Sequence, residues 1–157
     1  MRISLFPGTF DPITIGHLDI IHRSLRLFDK LYIGIGRNAN KTAMFSEEQR
    51  LTWIKEIYKG NAKIDAVIYD GLTIDCCKQV GANFILRGIR YVNDFEYEKA
   101  IADMNRSLNN NIETIFLTCL PQYTSVASTL VRDVLRNGGD VEQFLPEIVA
   151  KSLRIKS

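Results

Sequence analysis

The sequence predicts an α/β fold: a single doubly wound sheet of five parallel strands with flanking helices. Three observations support it. Short, nearly continuous runs of Ile, Leu, Val and Phe alternate with amphipathic segments of helical period. A chain of 157 residues fits one core. No linker, repeat or low-complexity stretch divides it, so residues 1–157 are expected to form one domain.

The strands are expected at residues 3–6, 31–35, 64–68, 84–86 and 114–118, each apolar on both faces, as strands covered by helices must be. Between the first two, Ile15, Leu18, Ile21, Leu25 and Phe28 form one helical stripe. The next helix opens at Ser46, where Ser46 and Gln49 fit a capping box and Glu47 and Glu48 suit the positive end of the dipole. A helix over 73–80 is stopped by Gly81. Asp94 is placed as the cap of a helix running to Leu108, carrying Tyr97, Ile101, Met104 and Leu108 at helical spacing. A helix over 127–136 ends at Gly138 and Gly139, and a terminal helix follows Pro146. This succession is Rossmann-like.

Composition excludes several function classes. The hydrophobic fraction of 46% and charged fraction of 24% belong to an ordinary globular protein. Net charge is +2, and the 20 basic residues are scattered, which argues against a nucleic-acid footprint. Pro7 and Gly8 break the first apolar run too early for a signal peptide, and no stretch is long enough to span a bilayer. A cytoplasmic protein without a membrane partner is expected. Cys76, Cys77 and Cys119 make no C-x-x-C pair and leave an odd count, so reduced, packed thiols are expected.

The chemistry begins after the first strand, where Pro7-Gly8-Thr9-Phe10-Asp11-Pro12 leads into Thr14-Ile15-Gly16-His17. A loop from a strand's carboxyl end into a helix amino terminus is where an open α/β sheet binds ligands. Gly8 and Gly16 are expected to let a phosphate approach the backbone, and free N–H groups favour its charge. His17 then donates a hydrogen bond to that anion, or else is a helix residue satisfied by a neighbouring carbonyl. His22 is expected to be a surface or packing residue.

A second stretch, Val126-Ala127-Ser128-Thr129-Leu130-Val131-Arg132, puts hydroxyls at a helix start. They either cap the backbone or bind phosphates, since both uses draw on the same unpaired N–H groups. Gly34-Ile35-Gly36-Arg37-Asn38-Ala39 fits the dinucleotide fingerprint, but follows the second strand and precedes no immediate helix. An NAD-type role is set aside. No G-x-x-x-x-G-K-[S/T] loop occurs.

The first stretch resembles the T/H-x-G-H signature of the nucleotidylyltransferases, and the second their I-S-S-T-x-x-R motif. With Lys41 before Met44-Phe45, Leu86-Arg87-Gly88-Ile89-Arg90, Asp94-Phe95-Glu96-Tyr97-Glu98 and Met104-Asn105-Arg106, nearly the whole chain is similar to the phosphopantetheine adenylyltransferases. The resemblance implies transfer of the adenylyl group of ATP to 4′-phosphopantetheine, with magnesium as cofactor, coenzyme A as inhibitor, a homohexameric assembly and a bacterial source. Thr9, Lys41, Leu72, Thr73 and Arg87 would contact phosphopantetheine. Thr9, Phe10, His17, Gly88, Ile89, Arg90 and Glu98, with Tyr123, Thr124, Ser125, Val126, Ala127, Ser128 and Thr129, would contact ATP. His17, Lys41, Arg90 and Ser128 would be catalytic. In that scheme Lys41 and Arg87 hold the attacking phosphate, and Ser128 with Thr129 receives the leaving group.

The chain departs from the family pattern at Ala127, usually serine, at Thr42-Ala43, usually Lys-Pro, and at Thr73, commonly a larger aliphatic residue. Two rivals stay open. One is a transferase acting on nicotinamide mononucleotide or using CTP; the other is a nucleotide sensor without turnover.

Overall fold

The five apolar runs form strands β1 (Ile3–Gly8), β2 (Lys30–Gly36), β3 (Ile64–Tyr69), β4 (Phe84–Ile89) and β5 (Glu113–Thr118). Six helices join or follow them: α1 (Ile15–Ser24), α2 (Glu47–Ile57), α3 (Thr73–Val80), α4 (Val92–Leu108), α5 (Ser128–Arg136) and α6 (Glu147–Lys156). The structure, a computed structural model, describes residues 1–38 and 40–156.

All strand pairs are parallel and the sheet order is β3-β2-β1-β4-β5. The order reverses between β1 and β4, the switch point at which open α/β sheets bind ligands. Pairing there is short. β1 matches β2 over six positions, from Ile3–Lys30 to Gly8–Ile35, but matches β4 at two, Ser4–Phe84 and Leu5–Ile85. Beyond them the carboxyl ends of β1 and β4 part, opening a cleft.

Each face of the sheet has its own apolar cluster. The larger gathers Phe6, Ile21, Leu31, Ile33, Trp53, Leu86 and Val149, and the smaller Leu5, Ile74, Cys76, Cys77 and Ile85. Cys76 and Cys77 are free, and burial pushes the Cys77 thiol up to about 12, so they behave as packed hydrophobes. Gly34 and Gly36 lie inside β2. A Cβ on Gly34 would come within 2.9 Å of Leu5 and 3.1 Å of Tyr69. The dinucleotide-like spacing is thus a packing requirement, and Ala39 at its end lies outside the described residues.

Three boundaries near the cleft differ from expectation, the first being that of β1, which continues past Phe6 so that Pro7 and Gly8 belong to the strand. β4 continues past Leu86 to Ile89, so Arg87, Gly88 and Ile89 belong to the strand. α4 begins at Val92, and Asp94 sits inside its first turn. From there the carboxylate reaches back to accept from the N–H groups of Arg90 and Tyr91. It serves the helix start from the third position, the second half of a capping box. Among the described residues of α4 only Glu98 is buried, while Val92 is 74% exposed and Tyr97 70%. The stripe from Tyr97 to Leu108 therefore faces outward.

Candidate active site

Chain direction and capping chemistry build the first part of the site. β1 delivers Thr9 and Phe10 to its carboxyl edge, and α1 starts five residues later with Thr14 as its cap. Thr14 Oγ1 accepts from the His17 N–H at 3.4 Å, and the Thr14 N–H donates to His17 Nδ1 at 3.0 Å. Because Nδ1 accepts from a backbone donor, the neutral ring carries its proton on Nε2. Burial first, then the charges of Arg90 and Arg87, lower the His17 pKa from 6.5 to about 4. At neutral pH the ring is an uncharged N–H donor in a positive field.

The glycines act by packing. A Cβ on Gly16 would meet the Val126 carbonyl oxygen at 3.3 Å, and one on Gly8 would meet the Phe10 ring at 3.0 Å. Gly16 thus lets the backbone at Val126 approach α1. Phe10 has φ 48°, which costs about 1–3 kcal/mol for a non-glycine residue. Its buried ring is held edge-on by Phe6 and His17, with centroids 5.3 and 5.0 Å away.

Where β1 and β4 part, Arg87 spans the gap. Its Nη1 donates to the Pro7 carbonyl at 2.5 Å, while Nε and Nη2 donate to Glu98 at 2.7 and 2.5 Å. The pairing of β1 with β4 ends at Leu5, so the guanidinium supplies the Pro7 carbonyl with the donor that a β4 N–H would otherwise give. Glu98 is 8% exposed, and removing one partner of such a pair costs about 3–5 kcal/mol because a buried charge is stranded. Three of the five guanidinium N–H groups are engaged, leaving two for an anion.

The second motif closes the cleft from the other side. Ala127 occupies the cap position of α5, and no side chain caps this helix. Ser128 Oγ donates instead to the Pro12 carbonyl at 2.7 Å. Neither hydroxyl therefore caps the helix, and its first backbone N–H groups have no side-chain acceptor, an arrangement that suits an anion. Arg132 Nη1 donates to the Asp11 carbonyl at 2.8 Å, so two side chains of α5 grip the loop before α1.

Three hollows meet here. The first, about 300 Å³, lies between β1, β4 and α5 and is lined by Gly8, Phe10, His17, Gly88, Arg90, Ala127, Ser128 and Thr129. The second, about 470 Å³, lies under α4 against Gly36, Tyr69, Thr73, Tyr97 and Asn105. Arg87 and Glu98 form the wall the two share. The third, about 750 Å³, holds Lys41, Arg50, Arg132 and Arg136 and touches Ser128 and Thr129. Thr9 lines all three.

Comparison with known proteins supports the same reading. A family profile described as Cytidylyltransferase-like matches residues 5–134. The chain is 54% identical over 149 residues to a phosphopantetheine adenylyltransferase of Flavobacterium psychrophilum, covering 95% of this chain and 98% of that one. It is 52% identical over 147 residues to that of Bacteroides thetaiotaomicron, covering 94% and 97%. The chain belongs to the phosphopantetheine adenylyltransferase family. The fold is also that of a putative nicotinate-nucleotide adenylyltransferase from Vibrio parahaemolyticus, with TM-score 0.71 at 18% identity over 98% of this chain and 93% of the other.

Against this phosphopantetheine adenylyltransferase background, the candidate residues divide by location. Thr9, Phe10, His17, Gly88, Arg90, Glu98, Val126, Ala127, Ser128 and Thr129 line the first hollow. Ile89 is buried at the end of β4, and Tyr123, Thr124 and Ser125 form the turn leading to Val126 without lining a hollow themselves. Thr73 lines the second hollow and bonds the Tyr69 hydroxyl at 3.1 Å, whereas Leu72 beside it is exposed and outside the lining. Lys41 lies in the third, away from Arg87 in the second. His22 is exposed and meets Tyr58 edge-on at 5.8 Å.

Sequence reasoning missed two residues that frame the site. Asp11 is 4% exposed and Arg50 also 4%. Arg50 Nη1 donates to the Thr9 carbonyl at 2.6 Å and its Nε to that of Phe45 at 3.0 Å. The one signal was an acidic residue inside an otherwise uncharged loop.

Proposed function

We propose that the chain transfers the adenylyl group of ATP to 4′-phosphopantetheine, giving dephospho-coenzyme A and pyrophosphate, a step of coenzyme A synthesis in the cytoplasm. The observation that carries this reading is Thr9 at the junction of three hollows, where a nucleotide beside His17 and α5 meets a second anion. The phosphate of phosphopantetheine has its second pKa near 6, so at neutral pH it is already a nucleophile. No side-chain base is required, and Asp11, Glu98 and Asp94 at the junction each accept hydrogen bonds from the protein itself.

Catalysis then consists of placing two anions together and neutralising the charge that builds on the α-phosphate. ATP enters the first hollow, with its triphosphate toward the start of α5. His17 donates from Nε2 to the α-phosphate, and its neutral state keeps the ring a donor without an imidazolium to desolvate. The two remaining N–H groups of Arg87 face the attacking phosphate from the shared wall, with Lys41 approaching from the third hollow. Arg90 faces the nucleotide. The departing pyrophosphate meets the backbone N–H groups of Ser128 and Thr129 and the cations of the third hollow. In this arrangement Ser128 acts by fastening α5 to the first loop, because its proton already goes to Pro12.

Magnesium fits this chemistry as an ion carried by ATP. Among the described residues no group of three His, Cys, Asp or Glu side chains converges on one point, and magnesium is usually held through substrate phosphates and water. When bound it offsets phosphate charge. A homohexamer and inhibition by coenzyme A complete the proposal; the exposed apolar side of α4, with Val92, Ile101, Met104 and Leu108, supports burial between subunits. Light scattering that finds a monomer would remove the assembly.

The test of the reaction is pyrophosphate release from ATP. It should require phosphopantetheine and magnesium together. Release with nicotinamide mononucleotide in place of phosphopantetheine, or tight ATP binding with no product, would overturn the assignment in favour of one of its rivals.

A further inference from the structure

The segment carrying Lys41 leaves β2 at Gly36 and reaches α2 at Glu47. Lys41 is exposed, and its own backbone N–H makes a local bond to the Asn38 carbonyl at 3.1 Å. The end of the segment is held differently. Met44 N–H donates to Asp11 Oδ2 at 2.8 Å and Phe45 N–H to Asp11 Oδ1 at 2.9 Å, so one buried carboxylate accepts two successive backbone donors. Arg50 adds a second fastening by bonding the carbonyls of Thr9 and Phe45 together.

Asp11 lies two residues after Thr9, and Arg132 of α5 holds its carbonyl. One side chain thus joins the turn at the junction of the hollows to the segment that carries Lys41. Each of its oxygens accepts one of these bonds, its residue is 4% exposed, and the Arg132 guanidinium lies 4.0 Å from Oδ2.

We propose that Asp11 is a positioning residue that sets the pose of Lys41 relative to Thr9, and so controls how tightly the attacking phosphate monoester is held. The proposal rests on the reading that Lys41 holds that phosphate. Charge-assisted hydrogen bonds to backbone N–H groups are short and strong, so a carboxylate is suited to hold a segment that has no regular structure of its own. Asparagine has nearly the same outline, but its NH₂ faces an N–H and repels it.

A double-mutant cycle tests both readings separately, using the full-length protein with ATP and magnesium saturating and phosphopantetheine varied. Lys41→Ala alone should raise the KM for phosphopantetheine. Asp11→Asn should raise it about tenfold or more, the range expected for losing hydrogen bonds to a charged group. ATP affinity by calorimetry should change by less than about twofold. In the Lys41→Ala background the added effect of Asp11→Asn should shrink to under about threefold, because the group it positions is gone. An unchanged KM in Lys41→Ala would remove the role of Lys41 itself. A raised KM in Lys41→Ala together with an equal effect of Asp11→Asn in both backgrounds would show that Asp11 only supports the fold, and the proposal would fall. Should Asp11→Asn not fold, Met44→Pro deletes one of the two donors from the opposite side and enters the same cycle with the same two outcomes.

Discussion

The starts of α1 and α5 face each other across one hollow and are finished in opposite ways. At α1, Thr14 and His17 form a closed capping box, and the ring that completes it is left with a single free donor. At α5, Ala127 supplies no cap, and the hydroxyl of Ser128 is directed away to Pro12. A helix start whose donors are filled from within holds a side chain still, while one left unfilled offers backbone N–H groups to an anion. In the proposed reaction this contrast suits α1 to the reacting phosphorus and α5 to the part of the triphosphate that leaves.

The largest expected effect comes from removing the donor at the closed end. His17→Ala should lower kcat about 10²- to 10³-fold, the range for losing one preorganised donor, with ATP affinity changed by less than about threefold. Single-turnover kinetics beside calorimetry measures both. Similar losses in rate and in binding would mean that His17 merely holds ground-state ATP.

Closing the open end gives the next effect. Ala127→Asp places an acceptor and a negative charge at the α5 cap, which should raise stability by about 1 kcal/mol while weakening ATP binding about tenfold. Urea unfolding and nucleotide titration should therefore move in opposite directions. If ATP binding were unchanged, α5 would not be the triphosphate site.

Ser128→Ala removes the tie between the two ends, with an expected loss of about 1 kcal/mol in stability and a smaller loss in turnover. Were turnover to fall as far as in His17→Ala, the hydroxyl would instead be acting directly on the leaving group.

The smallest effect is in pH. The His17 pKa is lowered from 6.5 in the unfolded chain to about 4 in the folded one, so the unfolded chain binds the extra proton first as pH falls. Stability from this group is fully present above 6.5 and is lost as pH falls toward 4. His17→Gln keeps an acceptor at the third helix position and cannot titrate, so its unfolding midpoint should fall less steeply through that window. Turnover of the wild type should show no His17 titration from pH 6 to 8.

Much of this contrast was legible beforehand. The five strands, the helix start at Ser46, the stop at Gly81 and the two loop-to-helix stretches that line the first hollow follow from local period, caps and turn residues, which act within a few positions. The errors share a cause. Asp94 was placed one step outside its helix because a carboxylate caps equally well from the third position. Gly8 and Gly16 do line the first hollow, but their close neighbours Phe10 and Val126 had no local signal, because they come near only after folding. Asp11 carried no visible role because the donors it accepts lie 33 and 34 residues away.

By itself the sequence determined the alternation of strands and helices and the residue types able to handle phosphate, since both depend on near neighbours and on side-chain chemistry. Tertiary structure alone decided the rest. Placing β1 beside β4 parted two strand ends, set Arg87 and Glu98 between two hollows, and brought Ser128 to Pro12 across 116 positions. The physical reason is that an unpaired carbonyl or amide takes whichever donor or acceptor the crossovers bring near, and that choice has no local signal along the chain.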